Sequence, residues 1–156
     1  MPYKYMNQIL LKNKNNYTKI DNEDYQLVDK FNWYQESDGY VRASGRIKTP
    51  IHRLIMKANK GEIIDHIDGN KLNNIKENLR ICTTSQNMMN RPAPISNTSG
   101  FKGVWWHKRA NKWTAGIELK GKQIHLGSFD FKKEAAKAYN NAAIKYFGEF
   151  ANLNKI

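Results

Sequence analysis

Residues 90–100, NRPAPISNTSG, interrupt every regular pattern in the chain. Two prolines among small polar side chains suit an extended connection and not a helix or a central strand. The 156 residues are therefore expected to fold as two small domains, 1–90 and 100–156, joined by a linker at 91–99. Each would have its own modest core.

Charge narrows the partners. Lys and Arg number 26 against 14 Asp and Glu, a formal charge of +12. The excess is shared: 15 basic against 10 acidic side chains in residues 1–97, and 11 against 4 in residues 98–156. Both halves can thus face a polyanion, with nucleic acid expected first and an anionic membrane second. No apolar run is long enough to span a bilayer, and residues 1–16, MPYKYMNQILLKNKNN, do not read as a signal peptide. A cytoplasmic protein without membrane contact is expected. Cys82 is the sole cysteine, which excludes an internal disulfide and a cysteine-rich zinc site.

Upstream of the linker, YKYMNQILL and YTKI read as short strands around the polar KNKNN. Residues 22–31 read as a short helix capped by Asp21, and WYQESDGYVRAS as a hairpin turning at Asp38-Gly39. In TPIHRLIMKANKG, Thr49 suits an N-cap and Pro50 the first helical position. EIIDH and LRICT read as strands, and Thr83 with Gln86 has capping-box spacing for a following helix. Downstream, FKGVWWHK, KWTAGIEL and KQIHLG alternate with period two, which predicts a three-stranded antiparallel sheet with one open face. FKKEAAKAYNNAAIKYFG then reads as a helix whose apolar stripe is Phe131, Ala135, Ala138, Tyr139, Ala142 and Tyr146, ended by Gly148.

The stretch IIDHIDGNKLNNIKENLRICTTSQN, residues 63–87, carries the chemistry. Hydrolysis of a phosphodiester needs a base to activate water and a cation to stabilise the leaving oxygen. His66 is the base candidate, because an imidazole titrates near neutrality. Asp65 offers a hard anionic oxygen and Asn87 an amide oxygen, a set that favours Mg²⁺ over Zn²⁺. Asn78 is placed to hold the imidazole in one orientation. Neighbours in a strand point to opposite faces, so Asp65 and His66 can share a site only where the strand ends. Asp68, Asn70, Asn73 and Asn74 read as loop formers, and Cys82 as a small core residue.

This stretch resembles the HNH, or ββα-metal, nuclease motif of phage and intron-type homing endonucleases, and IHRLIM resembles their lead-in segment. The resemblance implies Asp65 and Asn87 as ligands of one metal ion, Mg²⁺ with Mn²⁺ as a substitute. It implies His66 as general base and Asn78 as the residue that steadies it. Asn87 stands where the third letter of the motif is histidine, as in an H-N-N branch of the family. His52 and Arg53 are further candidates for phosphate contact.

Residues 98–154 resemble the plant APETALA2/ethylene-response-factor DNA-binding domain, through Gly103-Val104, Lys112-Trp113, Leu126-Gly127, EAAKAY and AAIKYFGEFANLN. The resemblance implies double-stranded DNA as the partner, with the sheet laid in its major groove. Trp105, His107, Thr114, Glu118, Gln123 and His125 would face the bases, and Lys102, Lys108, Arg109 and Lys112 the phosphates. Most arginines of the plant reading face are missing, so the plant target does not carry over.

Taken together, an α+β chain is expected: a ββα-metal nuclease domain with added short strands and helices, then a three-stranded sheet packed on one helix. The expected activity is that of a site-specific, metal-dependent DNA endonuclease of homing type. One active site per chain and no evident dimerisation element or protein partner favour a monomer that nicks one strand. The competing expectation is a DNA-binding regulator with an inactive HNH site.

Overall fold

A computed structural model of the chain describes residues 6–45 and 48–156. Its backbone contacts divide it into two compact units, Met1–Ser85 and Gln86–Ile156.

Among the described residues, the first unit holds three two-stranded antiparallel ribbons. Strands β1 (Met6–Leu10) and β2 (Tyr17–Asp21) flank the polar loop that the sequence predicts. The first residues of that predicted strand, 3–5, lie outside the described residues. Residues 22–31 form less helix than expected: a 3₁₀ turn at Asn22–Asp24, then α1 (Tyr25–Val28). Asp21 makes no capping bond to this turn; its Oδ2 accepts the backbone N–H of Lys76 at 2.8 Å. Strands β3 (Trp33–Gln35) and β4 (Val41–Ala43) form the hairpin about Asp38-Gly39, where Gly39 has φ +85°. Helix α2 (Ile51–Ile55) starts one residue later than expected, with Pro50 as N-cap and no side-chain cap.

Strands β5 (Ile63–His66) and β6 (Leu79–Cys82) pair in register Asp65↔Arg80 and His66↔Leu79. The unit's core contains Leu11, Ile20, Val28, Trp33, Ile51 and Ile64 from these elements. Trp33 adds a buried bond from its indole N–H to the Val28 carbonyl at 2.8 Å. Such a residue brings large apolar area, and its N–H finds a partner once water is lost.

Helix α3 spans Thr84–Asn90, and from Gln86 onward it belongs to the second unit. There β7 (Val104–His107), β8 (Lys112–Leu119) and β9 (Lys122–Phe129) form an antiparallel sheet in that order, packed on α4 (Lys132–Phe147). A bulge shifts the register between Ala115 and Gly116. The buried stripe of α4 is Ala135, Ala136, Tyr139, Ala142, Ala143 and Phe147. This corrects the predicted stripe at two positions: Phe131 is 69 % exposed and Tyr146 42 %. Small side chains on the true stripe bring the helix close to the sheet. Gly103 takes φ +71°, and a Cβ there would lie 2.1 Å from Tyr139. Gly148, at φ +54°, ends the helix as expected. Among the described residues no helix is long and apolar enough to cross a membrane.

Candidate functional site

Asp65 and His66 close strand β5, and both are buried. Asp65 lies opposite Arg80 in the ribbon, and the guanidinium answers it directly. Nε and Nη2 of Arg80 donate to the single oxygen Oδ2 at 3.0 and 2.8 Å. Both side chains of this pair are nearly removed from water, so the charge-assisted bonds hold the carboxylate firmly.

His66 is the last residue of β5, where the backbone turns: the Gly69 N–H donates to the His66 carbonyl at 2.9 Å. This is the strand ending that the neighbouring pair requires. The His66 ring packs against two others, Tyr40 with centroids 6.0 Å apart and His52 at 5.2 Å, the latter edge-on. Burial is the largest influence on its pKa and pushes it below the ordinary histidine value. The bond to Asn74 and the charges of Asp68 and Asp65 oppose that shift. A neutral ring at neutral pH is the form that can take a proton.

The loop after β5 is held by its own polar side chains. Asn78 donates from Nδ2 to Asp68 Oδ1 at 2.8 Å and to the Asn73 carbonyl at 2.7 Å, while its Oδ1 accepts the Asp68 N–H at 3.0 Å. Burial alone would raise the Asp68 carboxyl, but bonds from Asn73, the Asn70 N–H and Asn78 hold it below the usual carboxylate range. The amide beside His66 is instead Asn74, whose Oδ1 lies 3.0 Å from His66 Nε2. Asn74 is fully buried, and its Nδ2 donates to Thr18 Oγ at 2.8 Å and to the Lys71 carbonyl at 3.1 Å. The expectation that Asn78 steadies the ring thus meets a different arrangement: Asn78 shapes the loop, and Asn74 touches the imidazole. Asn74, Thr18 and Arg80 are the residues that sequence reasoning missed. Each acts through a cross-strand or long-range contact that leaves no local motif.

Asn87 lies on α3 and is half-buried. Among the described residues, no three His, Cys, Asp or Glu side chains are grouped to hold a metal ion. The donors near His66 are hard oxygens, which suits a cation that keeps water or phosphate oxygens in its shell.

Two residues expected at phosphates have other positions. His52 is only 7 % exposed, packs on Tyr40 and His66, and keeps Nδ1 buried with no hydrogen-bond partner among the described residues. Burial, reinforced by the nearby His66, Arg53 and Arg42, pushes its pKa down to about 3. Arg53 donates to the carbonyls of Asn59 and Glu62, tying down the turn after α2.

In the second unit the open face follows the predicted alternation, with one row running Trp105, Thr114 and Ser128. Gly116 pairs with His125 and Glu118 with Gln123. Trp105, Glu118, Gln123 and His125 are exposed, as are Lys108 and Arg109 in the β7–β8 turn. Thr114 is buried within that row, with its hydroxyl 3.4 Å from that of Ser128. His107 uses Nδ1 to accept the Ala110 N–H at 3.1 Å, and Lys112 pairs with Asp130 at 2.7 Å on the surface. Lys102 does not extend toward solvent. Its ammonium donates to the Met89 and Arg91 carbonyls at 2.5 Å each, and burial pushes its pKa down to about 8. Trp106 is 39 % exposed and packs edge-on against Trp113 with centroids 5.1 Å apart.

Two protein families match successive parts of the chain. Residues 50–89 match the HNH endonuclease family and residues 99–149 the AP2 domain. The chain is 31% identical over 154 residues to an uncharacterized HNH endonuclease of Acanthamoeba polyphaga mimivirus, covering 95% of this chain and 80% of that one. It is 40% identical over 94 residues to Protein 3.8 of Escherichia phage T7, covering 60% and 77%. The second unit resembles plant regulators: APETALA2-like protein 2 of Oryza sativa is 42% identical over 64 residues, 41% of this chain and 15% of that one. No solved structure shows a significant match.

Proposed function

The chain belongs to the HNH endonuclease family and carries an AP2 domain, and on that premise we propose that it is a site-specific DNA endonuclease of homing type. In this reading the HNH segment, residues 50–89, hydrolyses one phosphodiester bond and the AP2 domain positions it on DNA. The observation that carries the reading is the buried His66 ring at the end of β5, next to a carboxylate clamped by Arg80.

His66 takes a proton from water: an O–H bond breaks, an N–H bond forms, and the oxygen's electron pair goes to phosphorus. The P–O bond to the leaving group then breaks, and its electron pair leaves with that oxygen, which solvent protonates. Asp65 offers a hard carboxylate oxygen of the kind a divalent cation takes, on a side chain held in place by Arg80. We assign it as one ligand and the Asn87 amide oxygen as the other, as the ββα-metal resemblance implies. Mg²⁺ is the expected ion, one per site, with Mn²⁺ as a substitute. When bound, such an ion supplies positive charge at the leaving oxygen. One site per chain favours a monomer that nicks a single strand.

The open face of the AP2 sheet suits the major groove, with Trp105, Glu118, Gln123 and His125 toward base edges and Lys108 and Arg109 toward phosphates. A pool of supercoiled plasmids with randomised inserts, incubated with the purified protein and Mg²⁺ or EDTA, tests the activity. Relaxation of a subset of plasmids with Mg²⁺ alone is expected. Equal relaxation in EDTA, or none with any divalent ion, would contradict the proposal.

A further inference from the structure

A chain of hydrogen bonds that begins on β2, outside the matched motif, reaches the ring of His66 through Asn74. The Leu72 carbonyl can only accept. It takes the Thr18 hydroxyl at 2.9 Å and the Lys19 N–H at 2.8 Å. With its proton committed there, Thr18 Oγ acts as acceptor toward Asn74, whose Nδ2 lies 2.8 Å away. The second Nδ2 proton goes to the Lys71 carbonyl at 3.1 Å. A flipped Asn74 would set its oxygen against that carbonyl, oxygen to oxygen. The amide therefore has one orientation, with Oδ1 toward His66 Nε2 at 3.0 Å. An acceptor at that distance requires a proton on Nε2. Thr18 and Asn74 are both fully buried, so water cannot substitute for either partner.

We propose that Asn74, anchored by Thr18, is a positioning residue that holds His66 as the Nε2–H tautomer and so gives Nδ1 the lone pair that accepts the proton from water. The N-terminal ribbon is thereby part of the catalytic device, although the HNH match begins only at residue 50. Two backbone bonds keep the ribbon and loop in register: Lys19 N–H to Leu72 carbonyl, and Asn74 N–H to Lys19 carbonyl, each at 2.8 Å. This inference rests on the proposed role of His66.

Nitrogen-15 spectra of histidine-labelled full-length protein read the tautomer directly and need neither DNA nor metal. The wild-type His66 signal is expected in the Nε2–H form alone. Asn74→Leu should give a mixture of tautomers. It should also lower kcat roughly 10- to 100-fold with KM unchanged, the usual cost of losing a group that orients an active-site histidine. Thr18→Val should move both readouts the same way by less, and Thr18→Ser should restore them. A wild-type ring in the Nδ1–H form overturns the proposal even if no variant folds. So does a folded Asn74→Leu protein with unchanged tautomer and rate. Normal nicking by His66→Ala would instead overturn the underlying assignment of the base.

Discussion

His52 shows what a buried imidazole costs and how that cost depends on pH. Its ring packs between Tyr40 and His66, and burial holds its pKa at about 3. In the unfolded chain the same ring would bind a proton below about 6.5. Between those values the unfolded state holds the extra proton, so stability is full above the upper value and falls with pH through the window. Urea unfolding at pH 7 and pH 4 should therefore show a loss of up to about 3 kcal/mol from this residue. His52→Phe should flatten that part of the dependence. An identical slope in the variant would mean that the ring is protonated in the folded protein. Part of the site was legible from residue type alone. A histidine beside an aspartate at a strand end, with asparagines in order behind it, pointed to His66 and Asp65. Asn74 was not legible, because its bond to Thr18 joins residues 56 positions apart and looks like loop chemistry in the sequence.

At the scale of elements, the second unit shows how alternation becomes a surface. Period two in three segments separated the exposed Trp105, Glu118, Gln123 and His125 from the buried Val104, Ala115 and Ile117, but it misplaced Thr114, which is buried, and Trp106, which is exposed. It did not foresee the bulge at Ala115/Gly116, since an inserted residue only appears once two strands pair. Nor did composition foresee that Phe131 stays exposed while Ala136, Ala143 and Phe147 of α4 pack inward. Close approach of that helix depends on Gly103, where a Cβ would meet the Tyr139 ring at 2.1 Å and the Gly116 carbonyl at 2.6 Å. With φ at +71° as well, Gly103→Ala is strained in both backbone and packing. It should cost more than about 2 kcal/mol in thermal unfolding of the full chain. An unaltered midpoint would mean that sheet and helix pack less closely than the structure has them.

At the scale of the whole molecule, the positive charge serves two different purposes. Lys102 and Arg53 are committed to backbone carbonyls, whereas Lys108 and Arg109 are exposed in the turn beside the open face. Only the second pair should meet phosphate. Replacing both with alanine should reduce the log–log salt slope of DNA binding by up to about 1.8, at about 0.9 per contact. A slope equal to that of the wild type would remove this turn from the interface. Single-turnover nicking by His66→Ala, with DNA binding measured on the same preparation, checks the chemistry assigned to His66. Binding should persist while the nicking rate falls roughly 10²- to 10⁴-fold, the range for loss of a general base. Nicking at the wild-type rate would contradict the account.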